Sequence, residues 1–334
     1  MRPPEFWSRD GAAAAALLAP AGALYGAAVS WRADRRPTWR APVPVICVGN
    51  IVVGGAGKTP TAIAVGRRLA SWGLEVAFLS RGYGGHLAGP VRVDLRKHGP
   101  AEVGDEPLLL AEAATAWVAR ERVDGARAAI ADGADVIVMD DGLQNPALAK
   151  DASLVVVDGG YGFGNGRILP AGPLREPIDS GLRRATAAIV VGDDQRGVAR
   201  LVGGRLPTLG ARLRPTPAAA EIQGRRVVAF AGIGRPAKFF ATLAELGAEI
   251  MAREEFADHH VYTPDEAMRL VDSALKADAV AVTTAKDHVR LPDGARAMIV
   301  RIDVELEFDD ERALDALLRP ALSRAAAGTD ALHG

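Results

Sequence analysis

The run Gly54-Gly55-Ala56-Gly57-Lys58-Thr59 has the residue types of a phosphate cradle. It follows the apolar stretch Val45–Val48 and precedes Thr61–Val65, so it reads as the turn between a buried strand and a helix. In that setting backbone N–H groups wrap a polyphosphate and the helix N-terminus adds partial positive charge. Lys58 then reaches the outer phosphates, and the Thr59 hydroxyl is placed to ligate Mg²⁺. The usual spacing G-x-x-x-x-G-K-[ST] wants glycine where this chain has Val52.

Other chemistry-bearing residues stand where strands should end. Asp140-Asp141-Gly142-Leu143-Gln144 closes the apolar run Val136–Met139. An acid there, in a protein with a phosphate loop, is placed to associate with Mg²⁺. Successive strand residues face opposite ways, so one acid can face the metal while the other caps the turn. Arg81, within Ser80-Arg81-Gly82-Tyr83, follows a second strand and can grip an anion. Asp105 and Glu106 precede an apolar helix, where acids can cap the helix or project into the crevice that holds the loop. Arg175 sits among prolines in Leu169–Pro177, a rigid setting for holding phosphate or sugar. His259 and His260 are adjacent, and neighbours rarely ligate one ion together, so a base or substrate-orienting role fits better than a metal site. Lys286-Asp287 reads either as a phosphate neutraliser or as a loop ion pair.

These residues need a scaffold. Residues 41–207 alternate strands and helices, which predicts a three-layer α/β/α phosphate-loop domain around a mostly parallel sheet. Ligands then gather at the carboxyl ends of the strands. One helix is expected over Glu106–Ala119. A proline-bearing linker over 208–223 leads to a second, smaller α/β/α domain over 224–325, and 326–334 reads as a tail. The 334 residues suffice for two domains, and a net charge of −1 gives no electrostatic reason to expect nucleic acid. Cys47 is the one cysteine, which excludes a disulfide framework and a cysteine metal site within the chain. Residues 1–40 stand apart. Gly11–Trp31 carries no charge, is rich in alanine and is interrupted by Pro20-Ala21-Gly22, with tryptophans and arginines around it. A spanning helix is weakened by the interruption, and a cleaved signal by the charge that follows rather than precedes the run. Two readings stay open: a pair of short helices on a membrane surface, and an alanine-rich helix packed on the core.

Taken in order, these segments resemble the bacterial lipid A disaccharide 4′-kinase family. The resemblance rests on Val48-Gly49-Asn50 with Gly54–Pro60, Ser80–Tyr83, Gly104–Pro107, Asp140–Gln144 and Leu169–Glu176. In the second half it adds Phe230–Pro236, Phe256–His260 and Thr283–Asp287, so that it runs from about Pro3 to Leu317. The Val52 variant of the loop belongs to that family. The resemblance implies two α/β/α domains joined by a short two-stranded connection, with the site in the cleft between them. It implies ATP-dependent phosphorylation of the 4′-hydroxyl of an acylated glucosamine disaccharide 1-phosphate, with Mg²⁺ as cofactor. It also implies a monomer at the cytoplasmic face of the inner membrane, with the N-terminal segment touching that membrane surface. Carried onto this chain, Asp105 is the base for the 4′-hydroxyl and His259 its partner, with an exchange of roles between His259 and His260 left open. Thr59, Glu106, Asp140 and Asp141 become the metal-associated set. Arg81, Arg122, Gln144 and Arg175 become substrate or phosphate contacts, the Arg122 match being weakened by Glu121 where the family tends to show Asp. Two alternatives are a membrane-associated regulatory ATPase with a deviant phosphate loop, and a kinase of a soluble small molecule. The first expects a lysine where this chain has Val53.

Overall fold

A computed structural model describes residues 4–8 and 11–330. Positions 1–3 and 9–10 of the N-terminal segment, and 331–334 of the tail, lie outside the described residues. The elements begin with α1 (Ala13–Ala33), β1 (Val45–Gly49), α2 (Lys58–Ala70), β2 (Val76–Ser80), β3 (Val91–Arg92), α3 (Pro100–Val103) and α4 (Asp105–Ala113). Next come β4 (Thr115–Val118), α5 (Arg122–Ala131), β5 (Val136–Asp140), β6 (Ala152–Asp158), α6 (Ile178–Arg183), β7 (Ala187–Val191), α7 (Val198–Val202) and β8 (Thr208–Pro215). The chain continues with β9 (Arg226–Ala231), α8 (Pro236–Glu245), β10 (Glu249–Glu255), α9 (Pro264–Lys276) and β11 (Val280–Thr284). It ends with α10 (Ala285–His288), α11 (Asp293–Arg296), β12 (Val300–Ile302), β13 (Val304–Phe308) and α12 (Glu311–Asp330).

The chain divides into two compact units. The larger holds Pro4–His98, Glu102–Arg212 and the chain from Leu306 onward, and the smaller holds Gly99–Ala101 and Leu213–Glu305. In the larger unit the strands run β13-β8-β7-β6-β1-β5-β2-β4-β3. The pairings from β8 through β4 are parallel, whereas β3 is antiparallel to β4. The backbone bonds from the Thr216 N–H to the Asp303 carbonyl and from the Asp309 N–H to the Gly210 carbonyl run β13 antiparallel to β8. The central strands β1, β5 and β6 are buried along their whole length, as strands covered by helices on both faces must be. This is why each reads as an unbroken apolar run, and why a polar residue at its carboxyl end stands out.

Three expectations need correction here. The helix expected over Glu106–Ala119 stops at Ala113, and Thr115–Val118 becomes β4 beside β2. Thr115, Trp117 and Val118 are residue types that favour a pleated strand over a helix. The stretch read as a linker, with an extended piece expected at Leu209–Leu213, does contain that piece as β8, but paired with β7 in the sheet, and it ends in a short 3₁₀ turn at Pro217–Ile222. The region assigned to the second domain as far as 325 returns to the larger unit at Leu306. There α12 buries Leu314, Leu318 and Ala321, and Arg68 of α2 donates two hydrogen bonds to Asp315, at 2.7 and 2.6 Å. The helix itself continues to Asp330, into the stretch read as a tail.

The N-terminal segment also differs from the pair of short helices. α1 is one continuous helix of 21 residues with Pro20 inside it. A mid-helix proline costs roughly 3 kcal/mol, so packing has to offset it. Gly22 and Gly26 lie against Ile168: a Cβ on Gly22 would stand 2.7 Å from the Ile168 carbonyl oxygen. The preceding turn, Glu5–Ser8, is anchored to the same loop, with Asn165 Nδ2 donating to the Phe6 carbonyl and Trp7 Nε1 to the Pro170 carbonyl. The other face of α1 exposes Leu17, Leu24, Tyr25 and Trp31.

The smaller unit is a parallel sheet ordered β10-β9-β11-β12 with helices on both faces. Alternate residues of β9 divide between two cores. Val228 and Phe230 pack with Leu270 and Ala274 of α9, while Val227, Ala229 and Ala231 pack with Phe239, Phe240 and Leu243 of α8. Asp287 is fully buried beneath this sheet. Its carboxylate accepts hydrogen bonds from the Gly232 N–H, the Tyr262 hydroxyl, the Thr284 hydroxyl and Arg290. It is therefore a structural hub rather than a loop ion pair. Replacing Asp287 by Ala is expected to destabilise the smaller unit by about 3–5 kcal/mol, because Arg290 and Tyr262 lose a buried partner. Chemical denaturation followed by the near-UV signal of Tyr262 would measure it.

Candidate active site

In the larger unit the cradle begins where β1 ends. Gly54 and Gly57 have φ of 111° and 88°, conformations that favour glycine, and Gly57 opens α2. Val52 has a different job. It is buried and bridges antiparallel to Leu174, with the Val53 N–H donating to the Pro173 carbonyl and the Arg175 N–H to the Ile51 carbonyl. A residue in an extended pairing has no need of glycine, which explains the departure from the usual spacing. The same pairing brings Arg175 to the rim of the phosphate loop.

β5 ends beside β1, so Asp140 faces the first turn of α2. The Thr59 hydroxyl donates to Asp140 Oδ2 at 2.9 Å, while the buried Asp140 Oδ1 has no hydrogen-bond partner. Burial, then the neighbouring Asp141 charge, raises Asp140 to about 7. Asp141 follows with φ of 55°, which turns its side chain toward two cations. Arg175 grips it with two hydrogen bonds of 2.8 and 3.0 Å, and Lys58 Nζ lies 3.9 Å away. Burial alone would raise Asp141, but Lys58 and Arg175 outweigh it and hold the carboxyl below its usual range. Burial lowers Lys58, and Asp141 works against that shift.

Around this centre lie the remaining expected contacts. The charge of Glu106, on the first turn of α4, acts on both Lys58 and Asp140. Gln144 donates to the Asn50 carbonyl and to Glu176, both at 2.9 Å, and accepts from Arg175 at 3.4 Å. Arg122 is buried at the start of α5 and donates to the Ala119 carbonyl at 2.7 Å. Burial, then the Arg81 charge, lowers it to about 10, so it stays cationic near neutral pH. Arg81 is exposed at the end of β2. Asp105 is buried at the N-terminus of α4, next to Glu106. The structure therefore gathers Gly54–Thr59, Glu106, Asp140, Asp141, Gln144 and Arg175 around one loop, with the charge of Arg122 felt by Asp141 and that of Arg81 felt by Arg122. Asn50 and the fully buried Glu176 are polar members that the sequence reading did not assign.

His259 belongs to the smaller unit. It has φ of 61°, and its Nε2 lies 3.3 Å from Lys286 Nζ. His260 is committed elsewhere: its ring stacks on Phe256 at 4.7 Å, and its Nε2 pairs with Glu266 at 3.2 Å. Of the two, His260 carries the structural load.

The all-oxygen set of Thr59, Asp140, Asp141 and Glu106 suits a hard cation, and the unpartnered Asp140 Oδ1 is the atom such an ion would satisfy. Asp141 is the least available member, because Arg175 already occupies both of its oxygens.

Comparison with known proteins gives a consistent picture. The family described as Tetraacyldisaccharide-1-P 4′-kinase matches residues 14–323. A relative named tetraacyldisaccharide 4′-kinase from Rhodospirillum centenum is 54% identical over 328 residues, covering 97% of both chains. One of the same name from Paramagnetospirillum magneticum is 54% identical over 325 residues, covering 97% of this chain and 98% of its own. The solved structure of the "apo" form of LpxK from Aquifex aeolicus in complex with ATP aligns with a TM-score of 0.75 at 26% identity. That alignment covers 92% of this chain and 99% of the other.

Proposed function

Because this chain belongs to the tetraacyldisaccharide-1-phosphate 4′-kinase family, we propose a division of labour among its residues. The enzyme is an ATP-dependent kinase of lipid A biosynthesis that phosphorylates the 4′-hydroxyl of an acylated glucosamine disaccharide 1-phosphate. The observation that carries the assignment is the convergence of Lys58, Thr59, Asp140 and Arg175 on the loop that opens α2.

The loop N–H groups and Lys58 hold the phosphates of ATP and neutralise charge that builds during transfer. Thr59, Asp140 and Glu106 hold Mg²⁺, with Asp141 shared between it and Arg175. When bound there, Mg²⁺ would supply positive charge against the phosphates of ATP. Arg81 and Arg122 offer cations to the acceptor's phosphate, while Gln144 keeps Arg175 in line. Asp105 takes the proton from the 4′-hydroxyl, and its burial keeps water from competing for the carboxylate. His259 is the partner that orients the Asp105 carboxylate. Lys286 donates to His259 Nε2, because an ammonium has only protons to offer.

The acylated acceptor accounts for α1. One face of that helix docks on Ile168, and the other presents Leu17, Leu24, Tyr25 and Trp31. α1 is long and apolar enough to cross a bilayer, yet a helix docked along its glycines is placed to lie on the membrane surface instead. We assign it to the cytoplasmic face of the inner membrane, where ATP is available, and take the active form to be a monomer.

The metal assignment is tested with Asp140→Asn. ATP affinity of the wild-type protein should rise on adding Mg²⁺ and fall again with EDTA. The variant should lose most of that Mg²⁺ dependence while keeping its fold. An unchanged response to Mg²⁺ in the variant would remove Asp140 from the metal set.

A further inference from the structure

A chain of polar contacts runs through the larger unit from the phosphate loop to the end of α1. Asp141 is gripped by Arg175, Arg175 donates to Gln144 at 3.4 Å, and Gln144 donates to Glu176 at 2.9 Å. Glu176 is fully buried, and its other oxygen accepts from Arg184 Nη2 at 2.5 Å. Arg184 Nη1 in turn donates to Asp34 at 2.8 Å. Asp34 is the residue that closes α1, and Arg183 approaches its other oxygen at 3.7 Å.

Two features make this more than a row of neighbours. An acid at a helix C-terminus opposes the helix dipole, so the pair of arginines is what holds Asp34 in place. Glu176, with no exposure, cannot turn to water if Arg184 moves. A shift of Arg184 must therefore be taken up by Gln144, and so by Arg175 at the loop.

We propose that Arg184 is a positioning residue of the ATP site, acting through Glu176 and Gln144 on Arg175, and that Asp34 ties the seating of α1 to the same contacts. This rests on the kinase reading given above. It adds that the helix assigned to the lipid surface helps set the geometry that receives ATP.

The test measures ATP affinity directly, with a fluorescent ATP analogue and without lipid, alongside kcat, KM and the thermal midpoint. Asp34→Asn is expected to weaken ATP binding about two- to fivefold, with the thermal midpoint unchanged. Arg184→Met should weaken it further, and Arg184→Lys should recover part of the loss. Combined with Arg175→Lys, Arg184→Met should add little, since both act through one guanidinium. If Arg184→Met leaves Glu176 so exposed to strain that the protein unfolds, Asp34→Asn alone decides the matter. Unchanged ATP affinity in Asp34→Asn, or effects of Arg184→Met and Arg175→Lys that simply multiply, would overturn the proposal. A wild-type protein that bound no ATP would instead overturn the kinase reading beneath it.

Discussion

Replacing Lys58 by Ala should lower kcat by a factor on the order of 10²–10³ while the protein stays folded. Lys58 Nζ lies 3.5 Å from the Gly54 carbonyl and 3.9 Å from Asp141, so its charge is delivered at the mouth of the loop. Phosphoryl transfer asks the protein for positioning and charge neutralisation more than for covalent chemistry. Losing the one lysine of the loop therefore removes charge stabilisation at the point where negative charge moves. The fold should tolerate the change, because Asp141 keeps its two hydrogen bonds from Arg175. Steady-state turnover at saturating ATP, together with a thermal melt, separates the two effects. Near-normal kcat in a folded variant would mean that the loop binds nucleotide without taking part in transfer.

Asp105→Asn should reduce kcat by roughly 10²–10⁴ and leave the KM for ATP nearly unchanged. The substitution keeps size and hydrogen-bonding capacity but removes the basic oxygen that would accept the 4′-hydroxyl proton. The contrast with Lys58 is the informative part: a phosphate-holding residue moves ATP binding and turnover together, whereas a base moves turnover alone. His259→Gln should show a smaller loss of kcat, in keeping with a residue that acts through Asp105. His260→Gln should show instead a loss of stability, because its ring packs on Phe256 and Tyr262. A raised KM for ATP with unchanged kcat in Asp105→Asn would reassign that acid to nucleotide or metal binding.

The features readable from sequence are those decided locally. The strand, glycine turn, lysine and helix of the loop lie within a few residues of each other. The acids at the end of β5 stand out because four apolar residues precede them. What sequence could not show depends on pairing between distant segments. Val52 looks like a defect in the loop until Leu174 is seen beside it. Asn50 and Glu176 look like ordinary polar residues until Gln144 bridges them. The end of α4 is hidden in the sequence because Leu108-Leu109-Leu110 and the alanines after it carry an apolar helix signal straight into a strand. The return of α12 to the larger unit rests on Arg68 meeting Asp315, a contact between residues 247 positions apart. α10 shows a further limit. Lys286 and Asp287 are neighbours in sequence, but one reaches His259 and the other disappears into the core.

The central claim is the identity of the acceptor. Purified protein should be incubated with Mg²⁺-ATP and an acylated glucosamine disaccharide 1-phosphate, and the lipid product examined by mass spectrometry and phosphorus NMR. The account predicts one added phosphate, placed on the 4′-oxygen, formed in step with ADP and lost in both Lys58→Ala and Asp105→Asn. ATP consumption with no phosphorylated lipid, or phosphate found at another hydroxyl, would contradict it.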